Sequence, residues 1–191
     1  MLDAEPFSVA NPSEVVADSY PPSGGHSSVP RLWPRASALP RVTPADPATR
    51  IVTDFAHHRP LTVTEDRSID DALREMACAG IRALLVVRQE LVVGLISSYD
   101  IEGRRPLELL RSSPGTGRGE IAVGHVMTPW DRIPTLDWQS VCAARVRQIE
   151  AYFRNTGAMH VVLVERWGDG GPFVRGLLSR KRLERELGRQ L

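Results

Sequence analysis

The sequence is short of lysine, cysteine and aromatic side chains, and each scarcity excludes a class of protein. Lys181 is the only lysine among 24 basic residues, so arginine use reflects a compositional bias and single arginines carry little weight as chemical signals. Acidic residues number 23. The near cancellation removes the one-signed field of a general nucleic-acid binder, and any anion site must be local. The two cysteines, Cys78 and Cys142, stand at no metal-ligand spacing, each has alanine beside it, and both read as buried apolar filler. Residues 1–10 are acidic and lack the basic start and apolar run of an export signal. No stretch approaches the roughly 18 apolar residues that a bilayer span needs. The expectation is a soluble protein of the reducing cytoplasm with no membrane contact. No histidine-paired nucleophile, metal cluster or phosphate loop appears, so no catalytic or metal-binding residue is assigned and the chain is not read as an enzyme.

What is present begins with proline. Nine of the fifteen prolines precede Thr49, in a stretch that also holds the run PPSGGHSS at 21–28 and has no hydrophobic period. Such a segment cannot bury enough apolar surface to offset its ordering entropy, which predicts a disordered Pro/Ser-rich tail over 1–48. A linker and a partner-binding peptide around Leu32 and Trp33 both stay open.

From Thr49 the pattern becomes a repeat. Pro60-Leu61-Thr62-Val63, a helix, a β-branched run from Gly80 to Val87, a short turn and Leu91 to Ser97 make one unit. Ile133-Pro134-Thr135-Leu136, a longer helix, a run from Gly157 to Val164, a longer turn around 167–172 and Phe173 to Ser179 make the other. The glycines return at offsets of 77 residues (Gly80, Gly157) and 82 residues (Gly94, Gly176). Ser68 can cap the first helix, Ile69, Ala72, Leu73, Met76 and Ala77 share one face, and Gly80 supplies a left-handed stop. The second helix is placed from near Ser140 to Gly157, with Val146, Ile149 and Phe153 inward. The runs Leu84 to Val87 and Val161 to Val164 suit interior strands. Between the units, Gly103-Arg104-Arg105-Pro106 breaks the chain, a short helix follows over 107–111, and 112–120 reads as a linker loop. Pro129 should end a short helix begun near Ile121 and feed the second unit's first strand.

Two sequential β-α-β-β-α units, the helix-ending Val126-Met127-Thr128-Pro129 and Gly94-Leu95-Ile96-Ser97-x-x-Asp100 together resemble the CBS domain family, paired as in a Bateman module. The resemblance spans about Thr49 to Leu187. It implies an α+β fold in which a first CBS domain (49–111) and a second (121–191) pack sheet to sheet about a pseudo-two-fold axis, preceded by the disordered tail. It also implies two clefts that hold AMP, ADP, ATP or S-adenosylmethionine as a regulatory ligand rather than a catalytic cofactor, and a homodimer that modulates a separate partner.

The chemistry of Ser97 and Asp100 is intelligible without that resemblance. Both side chains crowd a helix start, where unpaired N–H groups favour an anion, and an ionised carboxylate can accept two hydrogen bonds from the adjacent hydroxyls of a ribose. The same spacing is also an ordinary helix cap. By the resemblance, Ile81, Arg82 and Ala83 line the adenine and ribose, and Thr62 closes the other side. Arg104 and Arg105, with Arg82, are candidates for phosphate contact or for solvated ion pairs.

The second unit departs from this pattern. Ser179 is followed three residues later by Arg182, which carries only donors and cannot accept from ribose. That cleft, with His160 facing it by its match to Ala83, is read as degenerate, either vacant or receiving an anion on Arg180-Lys181-Arg182. Two other functions stay open: a ligand-free dimerisation scaffold, and nucleic-acid binding by the basic C-terminal end, against which the interleaved acids and missing aromatics argue.

Overall fold

The computed structural model describes residues 42–113, 115, 117–166 and 171–191. Residues 1–41, with Leu32 and Trp33, and residues 167–170 of the second hairpin lie outside the described residues. Among the described residues eight strands and seven α-helices follow in order: β1 Thr53–Asp54, β2 Thr62–Thr64, α1 Ile69–Ala79, β3 Ala83–Arg88, β4 Leu91–Ser97, α2 Ser98–Glu102, α3 Arg104–Ser112, α4 Val123–Val126, β5 Thr128–Pro129, β6 Thr135–Asp137, α5 Trp138–Ala143, α6 Val146–Thr156, β7 His160–Arg166, β8 Pro172–Ser179 and α7 Arg180–Leu187. No helix among the described residues is long and apolar enough to cross a membrane.

The strands form two four-stranded sheets, ordered β2-β3-β4-β5 and β1-β8-β7-β6. Each contains one parallel pair, β2 with β3 and β6 with β7, followed by antiparallel neighbours. The fourth strand of each sheet comes from the segment leading into the other unit. β1 pairs with β8, and β5 pairs with β4. Pro129 therefore does not feed the second unit's first strand, as the sequence pattern suggests. It lies on the edge of the first sheet, where a residue without an N–H is tolerated.

The glycines that repeat at 82 residues make this exchange possible. A Cβ on Gly94 would stand 2.9 Å from the Thr128 carbonyl oxygen, and one on Gly176 would stand 2.7 Å from that of Thr53. Only a residue without a side chain lets the incoming backbone lie so close.

The alternation of strand side chains divides the core into layers. Leu84, Val86 and Ile96 face outward against α1, α2 and α4, whereas Leu85 and Leu95 face inward and meet Ile133 and Val162 of the second half. Phe153 and Ile149 of α6 pack with Val161, Leu163, Leu178 and Leu183 on the outer face of the second sheet. The order is helices, sheet, sheet, helices.

The first helix has the expected ends. Ser68 Oγ accepts from the Asp71 N–H at 3.1 Å, and Gly80 closes the helix with φ 65°. Its buried face is Ile69, Ala72 and Met76; Ala77 and Cys78 are exposed. Cys142 is exposed as well, so neither cysteine is the buried filler that its alanine neighbours suggest.

The second helix is not continuous. It divides into α5 and α6 at Ala144 and Arg145, both extended. The break has a partner in residues 42–48, which the sequence pattern assigns to the tail. The Ala144 carbonyl accepts from the Ala48 N–H at 3.0 Å, while the Val146 and Arg147 N–H groups donate to Asp46 and Pro44, each at 2.9 Å. Val42 and Ala48 are buried there. The first unit has the same joint, with Ile69 donating to Ile121 and Val123 to Arg67. These bonds satisfy helix-end groups that would otherwise lack partners.

Between the units the chain is better held than its composition suggests. α3 starts at Arg104, with Pro106 buried in its first turn, a position where proline costs no hydrogen bond. Arg118 ends the linker by donating to Asp70 at 3.0 Å and to the Ile101 carbonyl at 3.1 Å.

Candidate functional site

Ser97 is the last residue of β4 and the N-cap of α2. The Ser97 N–H and hydroxyl both donate to Asp100 Oδ2, at 2.9 and 2.6 Å, and the Asp100 N–H donates to Ser97 Oγ at 3.4 Å. The two residues thus form a closed capping box. One carboxylate oxygen is committed to it, and Oδ1 has no partner among the described residues. Two nearby N–H groups are already engaged, that of Asp100 with Ser97 and that of Ser98 with the Arg82 carbonyl. α2 spans only five residues. The turn therefore offers a fixed acceptor more readily than a cradle of N–H donors for phosphate.

The other candidate residues fall in several places. Ala83 is the cross-strand partner of Ser97 and packs in the layer between the sheets. Ile81 packs instead with the outer, helix-side core. Arg82 is exposed and, with Ser98, Glu102 and Leu73, borders a cavity of about 300 Å³ on that outer side. Thr62 is exposed on β2, paired with Leu85 and separated from β4 by β3. Arg104 is exposed, while Arg105 donates to the Val126 and Met127 carbonyls at 2.9 and 3.1 Å and so fastens α3 to the segment entering β5.

The residue that the pattern misses is Thr128. β5 is the strand beside β4, with Thr128 opposite Leu95. Its counterpart in the other half, Thr53, receives a hydrogen bond from Arg182, which stands where Asp100 stands in the first unit. The signal was available in the repeat of Ile51-Val52-Thr53 as Val126-Met127-Thr128.

His160 opens β7 opposite Ser179 and is 7% exposed. Burial pushes its pKa down to about 4, and the negative charge of Asp100 opposes that shift. His160 is thus read not only with the second cleft but within the field of the first. It reaches the sheet interface as a neutral imidazole at physiological pH.

In the second half, Ser179 caps α7 without a side-chain hydrogen bond. Arg182 Nη1 donates to Thr53 Oγ1 at 2.8 Å, and its Nε is buried without a partner. Arg180 and Lys181 both pair with Glu184, at 3.5 and 3.2 Å. Arg175 grips Asp54 with two bonds of 3.0 Å, reaches Glu165 at 3.3 Å and lies 4.5 Å over the Trp138 ring. Arg185 pairs with Glu186 and Arg189 with buried Glu150. The basic C-terminal set is therefore engaged within the chain. A second surface cavity of about 440 Å³, bordered by Trp130, Asp131, Asp137 and Arg166, lies at the far end of β6 and β7 from His160.

Solved structures share this architecture. A crystal structure of the CBS domain NE2398 aligns with a TM-score of 0.52 and 23% identity over 74% of this chain and 97% of its own. A conserved protein from Pyrococcus horikoshii aligns at 0.52 and 19% over 78% and 98%. The CBS domain of a bacterial CNNM/CorC family Mg²⁺ transporter, solved with ATP, aligns at 0.50 and 12% over 78% and 91%. These likenesses define the fold as that of a CBS-domain pair. Residues 52–103 match the CBS domain family model, so this segment carries a CBS domain, and the fold around it is that of a tandem CBS pair. No curated protein matches the sequence.

Proposed function

We propose that this chain is a regulatory module that binds an adenosine-containing ligand at the Ser97–Asp100 turn and passes its occupancy to a partner protein. The observation that carries the reading is the Asp100 carboxylate, fixed by two donors on Oδ2 with Oδ1 left over. A carboxylate so held can accept from a ribose hydroxyl without reorganising, which keeps the ordering cost of binding low. Ala83 and Thr128, on the strands flanking β4, are the proposed neighbours of the ligand, with His160 entering from the second half. ATP in the related transporter CBS domain supports the ligand class, which extends to AMP, ADP and S-adenosylmethionine. A regulatory rather than catalytic role agrees with the family. We also infer a homodimer, with the exposed apolar residues Tyr99 and Leu107 of α2 and α3 as part of its contact.

A ligand that binds one packing of the two sheets better than another shifts their equilibrium by its difference in affinity. The inward layer of Leu85, Leu95, Ile133 and Val162 is the element that such a shift would move. A thermal-shift panel of AMP, ADP, ATP and S-adenosylmethionine on the full chain tests the reading. At least one compound should raise Tm, and Asp100→Asn should abolish most of the rise. Failure of every compound to move Tm would favour the scaffold alternative. Light scattering tests the dimer.

A further inference from the structure

We propose that Arg182 closes the second cleft from within, so that the chain offers one open ligand cleft rather than two. The proposal builds on the adenosine reading of the first cleft. In each unit a strand ends in serine and a helix begins, and the residue three positions later decides what the turn presents. In the first unit that residue is Asp100, whose short side chain folds back on Ser97. In the second it is Arg182, and Ser179 makes no cap bond to it.

The longer side chain extends instead to β1, the edge strand laid along β8. Its Nη1 donates to Thr53 Oγ1 at 2.8 Å, and Thr53 is paired with Leu177, two residues before Ser179. The guanidinium thereby joins the start of α7 to the strand that flanks it, across the position corresponding to the gap between Asp100 and Thr128. No hydrogen bond links Asp100 to Thr128 among the described residues. Two effects act together in the second half: the ribose acceptor is replaced by a group with donors only, and the space is spanned by a side chain.

The anion alternative loses its basis in the same contacts. Arg180 and Lys181 share Glu184, and Arg182 is tied to Thr53, so the run does not present three free cations. Arg182 is partly buried, its Nε fully so and without a partner.

Calorimetric titration of the full chain with AMP and with ATP tests the closure. The wild type should bind one equivalent per chain. Arg182→Asp removes the bridge and places an acid three residues after Ser179, so it should bind two equivalents, the second within about tenfold of the first in Kd. Arg182→Ala, which adds no charge, serves as a second variant and should gain a weaker second site. Circular dichroism checks that each is folded. In the Asp100→Ala/Arg182→Asp double variant one equivalent should remain. Two equivalents on the wild type, or one on both Arg182 variants, would overturn the closure. Binding to the Arg182 variants but not to the wild type would remove the first-cleft reading and leave the closure standing; no binding to any of them would remove both.

Discussion

The carbonyl oxygen of Thr53 lies over Gly176, 2.7 Å from where a Cβ would be. Thr128 lies over Gly94 in the same way, and the two contacts seat the strands that each half lends to the other. Gly176→Ala must push β1 away from β8, and overpacking of this kind costs roughly 1–3 kcal/mol. Urea unfolding should show that loss, and hydrogen exchange should show faster opening at Thr53 and Phe55, whose strand is displaced. An unchanged midpoint would contradict the close approach.

The turn joining β3 and β4 holds two non-glycine residues at positive φ, Gln89 at 48° and Glu90 at 67°. A two-residue hairpin requires that conformation, and Asn-Gly adopts it most readily. The double substitution Gln89→Asn and Glu90→Gly should therefore raise stability by about 1 kcal/mol, through relief of left-handed strain. Thermal unfolding measures it, and a lower Tm would argue against this turn.

His160 gives the fold a pH dependence of definite sign. Its folded pKa of about 4, set first by burial and opposed by Asp100, lies below the ordinary 6.5. Between these values the unfolded chain binds the proton that the folded chain refuses, so stability rises with pH across that window and falls as pH drops from about 6.5 to about 4. The full difference amounts to roughly 3 kcal/mol. The carboxylates held below their usual range, such as Asp54 and Glu65, contribute mainly at lower pH. His160→Gln should flatten denaturant midpoints between pH 4.5 and 6.5, and an undiminished slope in that variant would assign the effect to other groups.

Much of the fold is written in local pattern. Ser68 and Gly80 bound α1 because a cap and a left-handed glycine act within one turn of chain, and Ser97 with Asp100 is legible for the same reason. The repeat of Gly94 as Gly176 is visible in the sequence, but its cause, a carbonyl arriving from the other half, is a long-range contact that no local pattern encodes. The break at Ala144 and Arg145 is hidden for a similar reason, since it is stabilised by Pro44, Asp46 and Ala48 a hundred residues earlier. That Thr128 rather than Thr62 lies on the strand next to β4 follows from strand order, which local pattern does not encode. At Arg182 the sequence reveals the missing acceptor but not the reach to Thr53.

Asp100 is proposed to read a ribose. Calorimetry with AMP and 2′-deoxy-AMP on the wild type and on Asp100→Ala tests it most directly. Loss of a charge-assisted hydrogen bond costs about 1.5–3 kcal/mol, which corresponds to roughly 10- to 150-fold in Kd. The wild type should prefer AMP over its deoxy analogue by that order, and Asp100→Ala should bind both weakly and alike. Equal affinity of the wild type for the two, or full AMP affinity in Asp100→Ala, would contradict the account.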